Sequence, residues 1–508
     1  MLDLRERPFT DRGSRLLVMA ADDGSLWIAR ALYETRLSET TVLTGLRLFS
    51  GSTELPVRQA LPDRIEFDGG AALAFADTET LVLTGEGVRA VWDQGEAAVD
   101  GCHTLVGSGS FDGPTVLAGA AERWAAWFAR MPAVRADLVE RARQAWWTLA
   151  VNLIDIRGRE SMIPSKYGYV GLWNWDSYFH AIALRHADPV LAREQIRILL
   201  DNQRPDGLIP DVVHDHGVLA ETTDLPRSDL ARLAQHVGGE PIREAVPVTK
   251  PPLTAWAVWK VHEAAPDLEF LAEVYEPLVR SQAWWFEHSD PDGDGLAEYL
   301  HPYSSGLDDS PIWDNGPRAE PPDLNAYLAL QYDRQADIAD ALGRPEADTW
   351  REKAQAHTDL MIARRWDGKR FTTPTAEVRT PLDLMPLFTG RLPAEIADRL
   401  VADLTSPSFW GERAVPTVAY DDPLFQPDAM WRGPIWLNVN YLLIDGLIRS
   451  GRADVAAELA AKTLAMVRDG GGLYEYWNPE TGRKATRATT GFGWSSALFL
   501  DLAITASA

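Results

Sequence analysis

The sequence predicts a helical toroid preceded by an antiparallel β-sandwich, and three observations lead to this fold class. The chain has 508 residues, more than one hydrophobic core usually organises. Residues 1 to about 115 contain short β-favouring runs separated by turn signals. From about residue 119, long segments carry apolar residues with a 3.6-residue period. We therefore expect two domains in tight contact, at residues 1–118 and 119–508.

The prediction of an N-terminal sandwich depends on the spacing of strands and turns. β-favouring runs cover residues 14–20, 41–48, 80–84 and 88–92. Turn signals lie at Asp22-Asp23-Gly24, Asp68-Gly69-Gly70 and Gly85-Glu86-Gly87. Short strands separated by turns at such intervals favour antiparallel pairing in a sandwich.

The helical part shows roughly a dozen candidate helices without any alternation of strands and helices. The longest cover residues 134–153, 189–203, 268–288, 324–342 and 454–467, with shorter ones near 174–186, 252–264, 345–363, 393–404, 432–449 and 491–504. Loops of very unequal length join them, which suits two concentric rings of helices. The long loops at 155–173, 204–248, 289–321, 405–431 and 469–490 are candidates for function, since compact connections are usually shorter.

Composition limits the classes of partner. A formal net charge of −25 argues against nucleic acid and anionic membranes, both of which would be repelled. Cys102 is the only cysteine, so neither an intrachain disulfide nor a thiolate metal cluster is possible. The first residues lack the apolar stretch of a signal peptide, and no apolar run is long enough to span a membrane. We expect a cytoplasmic enzyme that acts on a small or neutral substrate and needs no cofactor.

The first candidate motif is the aromatic stretch from Gly171 to His180, which opens a helix. Asp176 could be a helix cap, because Asp is common near helix starts. Trp173 and Trp175 flank this carboxylate, and the chain has 20 tryptophans in all. Indole rings can stack on the apolar faces of sugars while a carboxylate binds hydroxyl groups. The sequence therefore leaves a cap and a sugar subsite as alternatives.

Two acidic stretches precede the predicted helix at 324–342. The stretch from Asp290 to Tyr299 resembles the first part of a calcium loop, but its twelfth position is His301 instead of Glu, so we favour a polar turn and predict no metal. Asp308, Asp309 and Asp314 then fall within seven residues. Crowded carboxylates repel one another, which raises a carboxyl pKa toward the range of a general acid. A solvated acidic turn is the alternative.

Two further motifs lie nearer the end of the chain. Arg432 stands beside Gly433-Pro434 at a predicted helix start, and Glu475 lies between aromatic residues in a glycine-rich loop. Packing and capping are the alternatives to function for both. Together the motifs supply an acid, a base and stacking surfaces, which glycoside hydrolysis requires. We also include Trp256, Trp436 and Tyr476 among the expected substrate-binding aromatics.

Four ordered motifs then carry a family resemblance. They are residues 384–390 (LMPLFTG), 404–410 (LTSPSFW), 422–425 (DPLF) and 431–441 (WRGPIWLNVNY). Through most of residues 130–505 the chain resembles family 63 glycoside hydrolases and, more distantly, family 37 trehalases. The resemblance implies that the helical catalytic domain is an (α/α)6 barrel. It also implies inversion at the anomeric carbon of an α-glycoside, and we favour an exo-acting α-glucosidase.

The same resemblance assigns roles to residues. In the motif from Ser305 to Pro311 the general acid maps to Asp308, and in the Glu-Tyr-x-x-Pro-x-Thr-Gly motif the general base maps to Glu475. Asp176 would hold the sugar in subsite −1. The remaining residues implied to line that subsite are Trp175, Lys250, Gly306, Trp431, Arg432 and Trp494. Lys250 replaces the Gln of trehalases and Asp309 replaces an Asn common in near relatives, so a relative's substrate does not transfer directly.

Three other functions are compatible with this scaffold. A disaccharide phosphorylase would use phosphate in place of an activated water, and Glu475 would then be unnecessary. A sugar epimerase would be expected to pair histidines in the funnel, which His180, His214 and His216 do not suggest. A non-catalytic sugar-binding protein would keep the tryptophans without needing both Asp308 and Glu475.

Overall fold

The computed structural model describes residues 2–225 and 245–507, in which strands come first and helices follow. The N-terminal strands are β1 (Leu16–Ala20), β2 (Leu26–Arg30), β3 (Thr41–Ser50), β4 (Thr53–Glu54), β5 (Val57–Ala60), β6 (Ile65–Phe67), β7 (Ala72–Asp77), β8 (Thr80–Trp92) and β9 (Gly95–Val106). Their order in the sheet is β1-β2-β3-β8-β7-β6-β5, with β4 paired to β3 and β9 paired to β8. All these pairs are antiparallel.

The predicted antiparallel pairing is confirmed, but the strands form one continuous sheet instead of two separate ones. The sheet curls because β3 and β8 are long strands with irregular register, and residues from both of its ends share one apolar core. The predicted turn at Gly85-Glu86-Gly87 is wrong. Gly85 pairs with Gly101 and Val88 pairs with Val99, so the glycines mark a bulge inside the single strand β8.

Twelve α-helices longer than one turn follow in the described part of the chain. They are α1 (Gly113–Ala129), α2 (Val139–Val151), α3 (Asn174–Leu184), α4 (Pro189–Asp201), α5 (Thr254–Ala264), α6 (Leu268–His288), α7 (Pro322–Ala341), α8 (Ala347–Arg365), α9 (Ala394–Leu404), α10 (Leu437–Arg449), α11 (Ala453–Asp469) and α12 (Gly493–Thr505). Every helix predicted from periodicity is present. The periodicity does not predict α1 or the 3-10 helix Pro381–Thr389, which contains Pro386.

The helices form an inner and an outer set. In the inner set α3, α5, α7, the 3-10 helix Pro381–Thr389, α10 and α12 contact one another in this order, and α12 contacts α3 again. Outside them, α2 packs on α12, α4 on α3, α6 and α8 on α7, α9 on the 3-10 helix and α11 on α10. Helix α3 is buried along its whole length, as expected of a helix that is covered on all sides.

Helix α1 connects the two parts of the chain. Asp112 caps it, because its carboxylate accepts a hydrogen bond of 3.0 Å from the Thr115 N–H. The helix packs on β7 and β8 on one side and on α2 on the other. The predicted domain boundary between residues 118 and 119 falls inside α1, and it stays a prediction.

Two small sheets lie in the loops that the sequence marks as long. Strands β10 (Leu153–Ile156) and β11 (Arg159–Met162) form a hairpin, and β12 (Leu172–Trp173) pairs with β13 (Val212–His214), which pairs with β14 (Gly217–Leu219). Residues 226–244 of the predicted loop at 204–248 lie outside the described residues. Across the part of the chain that the structure describes, every helix is too short or too polar to cross a lipid bilayer.

Candidate active site

A cavity opens where the N-terminal ends of the inner helices meet. Its wall combines carboxylates, one lysine and several aromatic rings. The lining residues are Pro164, Tyr169, Trp173, Trp175, Asp176, Lys250, Gly306, Asp308, Met430, Trp431, Trp436, Glu475, Phe492 and Trp494. The motifs that are far apart in the sequence therefore meet at one place, since each precedes or begins an inner helix.

Glu475 lies buried in the loop between α11 and α12 and receives a hydrogen bond on each carboxylate oxygen. The Tyr169 hydroxyl donates to Oε1 at 2.9 Å, and the Thr489 N–H donates to Oε2 at 3.1 Å. Burial raises the pKa of Glu475 above its ordinary value, and these two hydrogen bonds oppose that rise by stabilising the carboxylate. The carboxylate is thus held in one orientation by these two donors.

Asp308 follows the one-turn helix Pro302–Ser305 and lines the same cavity. That helix ends at Gly306, whose φ of 72° is left-handed. A Cβ atom at Gly306 would lie 2.2 Å from the Trp175 ring, so glycine is required both by the backbone and by the contact. Trp313 fixes the other side of the turn, because its indole N–H donates to the Leu307 carbonyl at 2.8 Å.

Asp309 connects the turn to the next motif. Its carboxylate accepts a hydrogen bond of 2.9 Å from the Trp431 N–H. An asparagine side-chain oxygen could accept the same bond, so the structure explains why Asp and Asn are both compatible with this position. Asp309 therefore has a structural contact of its own, which joins its turn to the Trp431 motif.

Asp176, Lys250 and Asp211 are three buried ionisable side chains, and Asp176 and Lys250 line the cavity. The Lys250 ammonium lies 3.1 and 3.2 Å from the two Asp211 oxygens and donates to the Tyr303 carbonyl at 2.6 Å. Burial raises the pKa of Asp176 well above its ordinary value, with Lys250 opposing the rise and Asp211 adding to it. Burial likewise raises the pKa of Asp211 to about 6. One lysine thus faces two buried carboxyls.

Stacked aromatic rings build one wall of the cavity. Trp431 and Trp436 are parallel with centroids 3.5 Å apart, and Tyr476 stacks on the far face of the pair at 4.6 Å from Trp436. Trp494 packs edge-on against Trp175 at 5.3 Å. Among the described residues, no acceptor meets the indole N–H of Trp431 or Trp494. Both rings line the cavity, so they are available to contact a sugar.

Three of the predicted substrate-binding residues do not line the cavity. Trp256 lies in the helical core, where its indole N–H donates to Asp445 at 2.9 Å, and these contacts indicate packing. Tyr476 stacks on the Trp436 ring and is absent from the cavity wall. Arg432 forms an ion pair with Asp314. The other predicted residues, Trp173, Trp175, Asp176, Lys250, Gly306, Trp431, Trp436 and Trp494, all line the cavity with Asp308 and Glu475.

Sequence reasoning missed Tyr169 and Asp211, which contact the site residues most directly. Tyr169 lies in the predicted loop at 155–173, four residues before Trp173, and the aromatic character of that stretch is the only signal. Asp211 lies in the loop at 204–248 without a motif around it. Their importance comes from hydrogen bonds to Glu475 and Lys250, which the sequence does not display.

The acidic turn at residues 290–294 is separate from the cavity. Oxygens of Asp290, Asp292 and Asp294 lie within 4.8 Å of one another. Asp290 accepts hydrogen bonds from the N–H groups of Gly293 at 2.9 Å and Gly295 at 3.0 Å, directly after α6 ends at His288. These contacts agree with the polar turn that we favour over a calcium loop.

Comparison with known proteins relates this site to a family of enzymes. Residues 169–495 match the model of the mannosylglycerate hydrolase MGH1-like glycoside hydrolase domain. The chain belongs to this family. It is a glycoside hydrolase of the family 63 type, as the resemblance of its motifs predicts.

Three relatives illustrate the extent of the likeness. Mannosylglycerate hydrolase of Thermus thermophilus is 28% identical over 426 residues, which cover 69% of this chain and 99% of the relative. Glucosylglycerate hydrolase of Mycolicibacterium hassiacum is 25% identical, covering 66% of this chain and 92% of its own. The crystal structure of the Thermus thermophilus enzyme of glycoside hydrolase family 63 in complex with glucose has a TM-score of 0.59, 25% identity and coverage of 70% and 98%.

Proposed function

We propose that this glycoside hydrolase is an inverting, exo-acting α-glycosidase, with Asp308 as general acid and Glu475 as general base. The observation that carries the proposal is the meeting of both carboxyls in one aromatic-lined cavity, with Glu475 held by two hydrogen bonds. A glycosidase needs a proton donor and a proton acceptor on opposite sides of one sugar ring.

The proposal includes an (α/α)6 barrel as the catalytic scaffold. Its support is the closed order of contacts among α3, α5, α7, the 3-10 helix Pro381–Thr389, α10 and α12, with the other helices outside them. In this arrangement the 3-10 helix occupies the place of one inner helix. The N-terminal ends of the inner helices would then surround the sugar.

In the proposed reaction, protonated Asp308 donates its proton to the glycosidic oxygen as the bond from that oxygen to the anomeric carbon breaks. Glu475 takes a proton from a water molecule, and the water oxygen bonds to the anomeric carbon from the opposite face. The products are a free sugar of inverted configuration and the released alcohol. The two carboxyls must stand about 6.5–9.5 Å apart to leave room for the water. To begin the next turnover, Glu475 releases its proton to solvent and Asp308 takes one up.

Substrate binding follows from the remaining lining residues. Asp176 and Lys250 line the cavity, where they can bind sugar hydroxyls, while Trp431 and Trp494 offer ring surfaces. Relatives are named mannosylglycerate and glucosylglycerate hydrolases, so α-glycosides of small hydroxy acids belong among the candidates. We favour glucose in subsite −1 and assign the cleaved group to a small aglycone.

The test is a panel of α-glucosides and α-mannosides, including the two glycerate glycosides, with the product anomer followed by proton NMR. Release of the β-anomer first supports inversion and identifies the sugar. Release of the α-anomer first would contradict it. Adding inorganic phosphate separates hydrolysis from phosphorolysis, because a phosphorylase would form a sugar phosphate. Binding without release of any sugar would favour a non-catalytic role.

A further inference from the structure

The segment that precedes β1 contacts both of the loops that hold Glu475. It comprises residues 6–11, which we call the N-terminal strap. The family match begins at residue 169, so the strap lies outside the matched region. Its contacts with the two loops are made by backbone carbonyls and one hydroxyl.

The first contact reaches the loop that donates to Oε2 of Glu475. The Thr490 hydroxyl donates to the Glu6 carbonyl at 2.6 Å. The preceding residue, Thr489, both accepts from the Glu475 N–H at 2.9 Å and donates its own N–H to the carboxylate. The strap therefore restrains one of the two hydrogen-bond donors of Glu475 through the adjacent residue.

The second contact reaches the loop that donates to Oε1. Lys166 is only 2% exposed, and its ammonium donates to the Thr10 hydroxyl at 2.8 Å and to the Asp11 carbonyl at 3.2 Å. Within the same loop Ser165 forms a bridge with Tyr169, whose hydroxyl donates to Glu475. Ser165 also donates to the Thr490 carbonyl at 3.4 Å, so the two loops are joined to each other as well.

We propose that the N-terminal strap positions the general base, with Lys166 and Thr10 acting as positioning residues. The inference rests on the proposed function, since it gives Glu475 the role of base. Burying an ammonium group next to neutral oxygens is costly, and here it fastens the Tyr169 loop to the strap. The N-terminal strap is thereby part of the catalytic apparatus, although none of its residues lines the cavity.

The expected signature is a change in pH dependence. The Tyr169 and Thr489 hydrogen bonds stabilise the carboxylate of Glu475, so loosening them raises its pKa. The other ionisable groups near Glu475 are Asp176, Asp308 and Tyr476. Asp11 and Arg15 are the charged groups that face Lys166. None of these is removed when Thr10 alone is changed.

The experiment compares Thr10→Val with Thr10→Ser in the full-length enzyme. Val is similar in shape to Thr but lacks the hydroxyl that Lys166 binds, whereas Ser keeps it. We expect the acidic limb of the kcat/KM profile of Thr10→Val to move upward by about half to one pH unit. Activity should fall up to about tenfold on that limb and recover on the alkaline plateau. Thr10→Ser should retain the original profile.

Three further variants calibrate the result. Tyr169→Phe removes one donor directly and should shift the limb in the same direction by a larger amount. Arg89→Ala breaks an exposed ion pair with Glu96 in the same sheet and should leave the profile unchanged. Lys166→Met should shift the pH profile in the same way as Thr10→Val. If Lys166→Met does not fold, the comparison of Thr10→Val with Thr10→Ser tests the inference by itself.

Two outcomes would overturn the inference. If Thr10→Val lowers the melting temperature but keeps both the limb and kcat, the strap stabilises the fold without positioning the base. The proposed function would survive that result, because the parent enzyme would still hydrolyse with inversion. Absence of turnover by the parent enzyme would instead reject the proposed function and the inference together.

Discussion

The loops that carry Asp308 and Glu475 face one cavity but are held in different ways. The Asp308 turn is fixed by contacts within the helical part: Gly306 packs against Trp175, and the Trp313 indole N–H donates to the Leu307 carbonyl. The Glu475 loop is held by hydrogen bonds, and its partners are themselves tied to residues at the start of the chain. The first loop is thus held from within the helical part, whereas the second depends also on contacts with the N-terminal part of the chain.

The largest effect is expected from Glu475→Gln, which removes the proposed base and keeps the shape. We expect kcat to fall by about 10³-fold or more, because general base catalysis contributes about 10²–10⁴-fold. Steady-state kinetics on the substrate found in the glycoside panel measures the loss. Glu480→Gln, an exposed residue of the same loop, is the matched control and should keep full activity. Activity of Glu475→Gln above a tenth of the parent would contradict the assignment.

Asp308→Asn tests the proposed general acid, because the need for protonation depends on the leaving group of the substrate. Without a proton donor, substrates with alkyl leaving groups should lose about 10²–10⁴-fold in kcat/KM. Substrates with good leaving groups, such as a glycosyl fluoride, need no protonation and should lose far less. Measuring the ratio of the two substrate types cancels any effect of the mutation on sugar binding. An equal loss on both would sink the acid assignment.

Lys250→Met leaves Asp211 buried without its cation and should cost about 3 kcal/mol of unfolding free energy near pH 8. The pKa of Asp211 is about 6 in the folded parent, above its unfolded value. The contribution of Asp211 to the free energy of unfolding is therefore complete below its pKa in the unfolded chain. It is lost as pH rises through its pKa in the folded protein. In the variant the folded pKa rises further, so the loss should continue to higher pH. Denaturant melts from pH 4 to 8 measure this, and parallel curves for parent and variant would contradict it.

Gly306→Ala should have a smaller effect, at about 2 kcal/mol of stability, because the new Cβ meets Trp175 in a left-handed backbone. Gly343→Ala is the matched control, since Gly343 has a φ of 68° but no heavy atom within 4 Å of the added Cβ. The difference in melting temperature between the two variants isolates the contact with the indole ring. Equal destabilisation would mean that the Asp308 turn does not depend on this packing.

Much of the site was predictable because its motifs place carboxylates, aromatic rings and glycines side by side in the sequence. Asp176 and Glu475 stand out as carboxylates among aromatic residues near glycines, and both line the cavity. Trp256 has no glycine or carboxylate beside it in the sequence. It lies on the helix Thr254–Ala264 and packs in the core. Sequence patterns thus separate cavity from core when the local chemistry is unusual.

The rest was not predictable because it depends on contacts between distant positions. Tyr169 matters through its bond to a carboxylate 306 positions away, and no local pattern encodes such a pair. In the sheet, Gly85 and Gly87 carry the same local signal whether they form a turn or a bulge. Pairing of β8 with β9 on both sides of them decides for the bulge.

The hydrogen bond from Thr490 to Glu6 joins positions 484 residues apart. The strap leaves the ribosome long before the loop that it contacts. Loop closure over so long a separation is slow compared with helix formation, since its entropy cost precedes any reward from the contact. The hydrogen bonds around Glu475 therefore depend on a contact that can form only after both segments have been synthesised.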